Sequence, residues 1–542
     1  MEMYYDDWYD SRTLRQNIER KTNGSFSIND VLKANSSRLP DNLFINSFGH
    51  KTNWRDGHVA INRLASGMMR LGINKGDKVS LLCGDSDKFV LTYLSIIRIG
   101  GITVPINTRL ATAPGEVEFI VNHSESRMLI LEDKFIPQLE QIRKNLSRIQ
   151  DVVVIGEQAP TDSISWEDVL NSGSEEDIPF TAGGDDQALQ LYTSGTTGRP
   201  KGAMLSHFNC LAQMEQMSCV SAYTTDDIVQ NMLPFPHCGF ICFSLSALYA
   251  GAGMNIIYPF EPAKCAEFIQ KHKTTVLDYV PAMAIMLLNL TNIKDYDFSS
   301  LRLFNYGSAP MPYNAIVRMK ELWPQAKLQN IFGMTECSAA IVTMKDEHAL
   351  DKIGGVGRAV PGGEIRLIDE DNKDVAVDEV GEIIFQGPNI MSGYFKNPEA
   401  TEIALKGGWY HTGDLGKLDE DGILEVVDRS KDMLIRGGEN VYPAEVERVL
   451  YDLPAVLECA VIGIPDERLG ERTKAFIVVK EGASLSSEEV VGHCKKGLAL
   501  FKVPEIIEFI DELPKTAMSK LNKIQLRSWS HEKEWRAWEH RG

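Results

Sequence analysis

From Asn62 to Gly333 the chain repeats one pattern: a short apolar run, a turn, then a segment whose apolar residues recur at helical spacing. NRLASGMMRLG (62–72) is such a helix. KVSLLC (78–83), LTYLSIIRIG (91–100) and ITVPI (102–106) read as strand, helix and strand. VEFIVN, MLILE, DVVVIG (151–156) and QLYTS extend the series. TTVLDYV (274–280), a Met- and Leu-rich helix, LRLFNYG (301–307) and AKLQNIFG (326–333) carry it on. This alternation predicts an α/β fold with mostly parallel sheets. In such sheets ligands bind beyond the carboxyl ends of strands. The loops after LQLYTS, LRLFNYG and KLQNIFG are therefore where chemistry is expected.

A chain of 542 residues exceeds one ordinary core, so at least two domains are expected. From about Gly355 the segments GGEIRLIDE, GEIIFQG and GILEVVDR are short, alternating and separated by turns, indicating a small β-rich region. After DRSKDM the α/β pattern returns over a stretch long enough for a small separate domain. A boundary near Ser430-Lys431 divides the chain into an N-terminal domain, 1–430, and a C-terminal domain, 431–542.

The formal charge of −19 argues against a nucleic-acid or anionic-membrane surface. Nine cysteines are scattered, odd in number and never in a CxxC pair, the usage of a reducing compartment, so a cytoplasmic protein is expected. The acidic, aromatic start MEMYYDDWYD is not a signal or transit peptide. Residues 231–260 lack Asp, Glu, Lys and Arg, but Pro234, Pro236, Gly239, Gly251, Gly253 and Pro259 break them into a buried helix and the strand MNIIY. His237-Cys238…Cys242 has no second ligand pair at metal-site spacing and reads as core thiols.

The segment LYTSGTTGRPKG (191–202) is the strongest local signal. Measured from Gly195, its lysine falls where G-x-x-x-x-G-K-[ST] has one. Pro200 replaces the second glycine of that template and Gly202 the metal-binding hydroxyl, so a standard P-loop NTPase is excluded. Glycines that allow close backbone approach, with hydroxyls from Thr193, Ser194, Thr196 and Thr197, still suit phosphates. Four further stretches follow in order. They are NIFGMTE (330–336), WYHTGDLG (409–416), DRSKDMLIRGGENVYPAEVE (428–447) and LPKTAMSKLNK (513–523). Taken alone, Thr335-Glu336 reads equally as a cap before CSAAIV, Asp414 as a turn residue and Arg429 as a surface charge.

Together, in this order and over almost the whole chain, these motifs resemble the adenylate-forming superfamily of acyl-CoA synthetases, luciferases and peptide-synthetase adenylation domains, with fatty-acid–CoA ligases nearest. The resemblance implies a large α/β N-terminal domain with a β-rich subdomain and a small mobile α+β C-terminal domain. It implies that a carboxylate attacks the α-phosphate of ATP, pyrophosphate leaves, and an acyl-adenylate forms. Thr193, Ser194, Gly195, Thr196, Thr197 and Lys201 would then cradle the leaving phosphates. Glu336 would hold Mg²⁺ and Thr335 the α-phosphate. Adenine would lie between Gly307, Ser308, Ala309 and Pro310 and the strand carrying Phe332 and Gly333. Phe332 stands where the family commonly has Tyr. Asp414 and Arg429 would bind the ribose. Lys520 would bridge the attacking carboxylate and the α-phosphate, although Ser519 replaces the Gly that commonly precedes it. Lys515 and Lys523 fit that register less well. His237 would gate the acyl site; as a lone His among apolar residues it also reads as a core histidine.

The resemblance further implies a rotation of the C-terminal domain about Lys431 between half-reactions. Gly437 and Gly438 would then admit the pantetheine thiol of coenzyme A. Gly333 occupies the position where acetate-specific relatives carry Trp, so the acyl tunnel is expected to continue inward toward VPAMAIMLL (280–288). That uncharged lining favours medium- to long-chain fatty acids, with aryl or alicyclic acids open. An acyl-AMP ligase that loads an acyl carrier protein, and a luciferase-like oxygenase, share the same motifs. The motifs leave the oligomeric state open, a homodimer included.

Overall fold

A computed structural model of the chain describes residues 8–178, 182–193, 200–352, 354–429, 432–437, 439–466, 468–515 and 521–530. The chain divides into two compact units. One is Met1–Ile365 with Phe385–His411; the other is Arg366–Ile384 with Thr412–Gly542.

The larger unit is built on two sheets. In one, eight strands run in the spatial order Gly393–Tyr394, Lys201–Ser206, Gln187–Thr193, Ile102–Pro105, Lys78–Leu82, Met128–Glu132, Asp151–Ile155, Ile164–Ser165. The last six pair in parallel. Lys78–Leu82 and Ile102–Pro105 are buried at every position, the condition of parallel strands covered on both faces. Polar caps start the covering helices. Ser86 accepts the Phe89 N–H before Asp87–Arg98, and Ser206 and Asn209 form a reciprocal capping box before His207–Val220.

In the other sheet Leu43–Ser47, Gly253–Ile256, Ile228–Asn231, Val276–Tyr279, Leu303–Gly307 and Lys327–Met334 lie side by side in parallel. Ala339–Met344 and Gly355–Ala359 add antiparallel strands at one side. A core of Phe304, Tyr306, Leu277, Met319 and Trp323 packs beneath them. The apolar stretch 231–260 becomes a π-helical turn, Phe240–Leu245, the helix Ser246–Ala250 and the strand Gly253–Ile256. Among the described residues no helix is long and apolar enough to cross a membrane.

The smaller unit begins with short strands, among them the antiparallel pair that joins Asp414 to Arg429 and Leu418 to Leu424. Beyond it, five strands form a sheet around the long hairpin Val456–Asp466 and Gly470–Val479. Helices Pro443–Tyr451 and Ser487–Gly497 bury Val446, Leu450, Val490 and Cys494 against Val461 and Ile477. The expected boundary at Ser430 and Lys431 lies outside the described residues.

Candidate active site

The Gln187–Thr193 and Lys201–Ser206 strands are paired in register, with Thr193 opposite Lys201. The hairpin therefore brings both ends of the glycine-rich loop together at a strand end. Ser194, Gly195, Thr196 and Thr197 lie outside the described residues. Behind the hairpin Tyr192 is braced by Gln190, whose amide donates to its hydroxyl at 2.9 Å, and by His123 at 2.8 Å.

Glu336 follows the strand Lys327–Met334 in a single 3₁₀ turn, Thr335–Cys337. No helix follows. Ser338 and Ala339 take φ of 59° and 143°, and the chain reverses into the strand Ala339–Met344. The reading of Thr335-Glu336 as a helix cap is thereby corrected. Buried Asn389 fastens this reversal by donating to the Cys337 and Ala340 carbonyls at 2.8 and 3.0 Å, while the Ser338 hydroxyl donates to the Asn389 carbonyl at 2.8 Å. The Glu336 carboxylate accepts from the Tyr394 hydroxyl at 2.8 Å. Burial, and then the adjacent Glu336 charge, push that hydroxyl far above its ordinary pKa, so it stays protonated and donates. On the same ring, the Lys201 ammonium sits 5.0 Å from the centroid, within cation–π range. A phosphate-binding cation and a carboxylate distant in sequence thus meet on one tyrosine.

A carboxylate has about four lone-pair sites, so Glu336 keeps capacity for a cation beside its bond to Tyr394. Among the described residues no cluster of three or more His, Cys, Asp or Glu could hold a metal ion unaided. Mg²⁺ bound through one carboxylate and the phosphates of its own nucleotide fits that donor set.

Thr335 donates its hydroxyl to the Cys238 thiol at 3.6 Å, which puts it beside the residue following His237. His237 is half-buried. Its Nδ1 accepts the Gly239 N–H at 3.1 Å, which leaves Nε2 as the protonated nitrogen of the neutral ring. The loop carrying it is held from below by Asp85, whose carboxylate accepts the Phe235 N–H at 2.9 Å. Burial raises the Asp85 pKa to about 7.

Gly307 ends its strand opposite Ile331, and a Cβ there would lie 2.2 Å from the Ile331 carbonyl oxygen, so only glycine fits. Ser308 follows with φ of 67°, and Ser308, Ala309 and Pro310 are exposed beside half-buried Phe332. Gly333 requires a correction. A Cβ there would lie 1.7 Å from the Ala339 carbonyl oxygen, across the register shift after Phe332. The missing side chain points into the neighbouring backbone, so it does not by itself open an acyl tunnel.

In the smaller unit Asp414 is buried and pairs with Arg429, Nε to carboxylate, at 3.3 Å. Thr412 sets the turn: its hydroxyl accepts the Asp414 N–H at 3.0 Å and donates to the Ile383 carbonyl at 2.6 Å. Gly437 takes φ of 63° and donates its N–H to the Leu469 carbonyl at 2.7 Å. Lys431, Gly438 and Lys520 lie outside the described residues. Of the alternative lysines, Lys515 is paired with Glu458 at 2.7 Å and Lys523 with Glu447 at 2.9 Å. Both are committed to ion pairs of the fold.

Sequence reading missed Tyr394, Asn389 and Asp85. The first two sit in GPNIMSGYF, a Gly/Pro-punctuated stretch whose lone tyrosine was the available signal.

The AMP-binding enzyme family model matches residues 32–395, and the model of the AMP-binding enzyme C-terminal domain matches 445–520. A feruloyl-CoA synthase of Amycolatopsis is 33% identical over 88% of this chain and 96% of its own length. A long-chain-fatty-acid–CoA ligase of Escherichia coli O157:H7 is 31% identical over 92% of this chain and 94% of its own. The crystal structure of the anthranilate CoA ligase AuaEII with anthranoyl-AMP superposes with a TM-score of 0.86 at 28% identity, covering 93% of this chain and 96% of that one.

Proposed function

This chain belongs to the AMP-binding enzyme family as an AMP-forming acyl-CoA synthetase, and on that premise we propose that it activates a medium- to long-chain fatty acid. The observation that carries the acid assignment is the helix Pro281–Leu288. Its sequence PAMAIMLL has no charged or hydrogen-bonding side chain, and Met283 and Ile285 pack, partly exposed, on the core under the parallel strands. A wall of this kind favours an aliphatic chain over a polar acid. Two relatives act on feruloyl and long-chain fatty acyl groups respectively, so aryl acids form the competing outcome of the test.

In the first half-reaction Lys201, with the glycine-rich loop, holds the β- and γ-phosphates while Thr335 contacts the α-phosphate. Glu336 would hold Mg²⁺, which neutralises phosphate charge when bound. Asp414 accepts the ribose hydroxyls, oriented by Arg429, and Phe332 with Gly307 to Pro310 flanks the adenine. Lys520 draws the acid carboxylate onto the α-phosphate by neutralising both anions. In the second, the C-terminal domain, 431–542, turns about Lys431. Gly437 and Gly438 then let the thiol of coenzyme A reach the acyl carbonyl, with His237 gating the acyl site.

The test is pyrophosphate release over acids from acetate to palmitate plus benzoate and ferulate, with and without coenzyme A, products read by mass. Acyl-CoA from a band of aliphatic acids is expected. Turnover confined to aryl acids would overturn the fatty-acid assignment, and acyl-AMP accumulating without acyl-CoA would move the acceptor to a carrier protein. Lys520→Ala is expected to abolish acid-dependent pyrophosphate release while preformed acyl-adenylate still reacts with coenzyme A. Loss of both steps in a folded variant would refute this division of roles.

A further inference from the structure

Tyr394 is held in place more firmly than a packing residue needs to be. Its two-residue strand pairs antiparallel with Lys201–Ser206, with Tyr394 opposite Ala203, and the Phe395 N–H donates to the Gly202 carbonyl at 2.8 Å. The side chain is therefore anchored to the strand that starts at Lys201. Its backbone N–H donates to the Thr401 hydroxyl at 2.9 Å. Met391, three residues earlier, donates its N–H to the Glu336 carbonyl at 2.7 Å. One short segment is thus tied by main chain to both elements of the phosphate site. The side chain spans the same gap: ring face to the Lys201 ammonium at 5.0 Å, hydroxyl to the Glu336 carboxylate at 2.8 Å.

From this geometry we infer that Tyr394 is a positioning residue: it presents the Glu336 carboxylate to the divalent cation of the nucleotide and sets the spacing between that carboxylate and Lys201. The inference rests on the proposed roles of Glu336 and Lys201. A carboxylate fixed at one oxygen has already lost the rotational freedom that metal binding would otherwise remove. The neutral ring also holds the lysine without consuming the carboxylate, since a cation–π contact needs no counter-charge. A direct Lys201–Glu336 pair would leave less capacity for both phosphate and metal.

The experiment compares binding of a non-hydrolysable ATP analogue to wild type, Tyr394→Phe and Tyr394→Leu by calorimetry, with MgCl₂ and with EDTA. Thermal midpoints confirm folding. Tyr394→Phe keeps the ring and loses the hydroxyl. Its binding in EDTA is expected to match wild type, while the strengthening conferred by Mg²⁺ falls about tenfold, the effect of one hydrogen bond to a charged group. Tyr394→Leu also loses the ring and is expected to weaken binding in EDTA as well. A Mg²⁺ response in Tyr394→Phe equal to wild type would overturn the inference alone. A wild type whose nucleotide binding ignores Mg²⁺ would overturn the metal role of Glu336 and this inference with it.

Discussion

Asp85 offers a test of how burial governs the loop that carries His237. Its carboxyl is 8% exposed and accepts the Phe235 N–H at 2.9 Å. Burial raises its pKa to about 7, and the Glu132 carboxylate adds to the rise; the Phe235 N–H and the cations of Arg109 and Lys134 oppose it. An unfolded Asp titrates near about 3.9. The folded value is the higher one, so between the two values the native state binds more protons. Stability therefore falls as pH rises through that window. The slope is about 1.4 kcal/mol per pH unit, which comes to about 2 kcal/mol between pH 5.5 and pH 7. Asp85→Asn keeps an acceptor for Phe235 and removes the titration. The stability of the variant relative to wild type is expected to rise by about 2 kcal/mol over that interval. Urea unfolding followed by the fluorescence of Trp54, Trp166 and Trp323, all buried in the larger unit, measures it. Parallel pH profiles would refute the reasoning, because the carboxyl would then titrate alike in both states.

Two further outcomes are expected. Asp414→Ala removes the carboxylate assigned to the ribose and should weaken the apparent affinity for ATP by about tenfold to a hundredfold, read from the ATP dependence of pyrophosphate release. Gly333→Ala places a methyl group 1.7 Å from the Ala339 carbonyl oxygen and should destabilise the protein by about 3 kcal/mol or more. Its thermal midpoint checks this, and a stable variant with a shortened acid range would restore the tunnel reading.

The α/β architecture was legible because fully buried runs such as ITVP and VVVI, alternating with amphipathic helices, have few other ways to hide both faces. The motif residues were legible for a different reason. Phosphate and ribose recognition constrains short contiguous stretches, so Lys201, Glu336 and Asp414 stand out locally. Gly333 was misread because a sequence reports that a side chain is missing and not the direction in which it would have pointed. Here the direction follows from the register shift between two strands. The Thr335-Glu336 turn was open between helix and strand because three residues carry no period.

By itself, then, the chain's order of residues determined the strand–helix alternation, the β-rich region after Gly355 and the membership of each motif, all set by local periodicity and local chemistry. Only the tertiary structure decided which distant groups touch. Asp85 under the His237 loop, Asn389 pinning the Glu336 turn, and Tyr394 between Lys201 and Glu336 are single polar residues in irregular segments. Asp278 in TVLDYV belongs with them. Burial lifts its pKa to about 8, and its hydrogen bond from Asn305 at 2.7 Å exists only because two parallel strands set those residues side by side. Such contacts have no signature along the chain because hydrogen bonding and desolvation depend on distance in space, which sheet register and loop closure determine after the segments have formed.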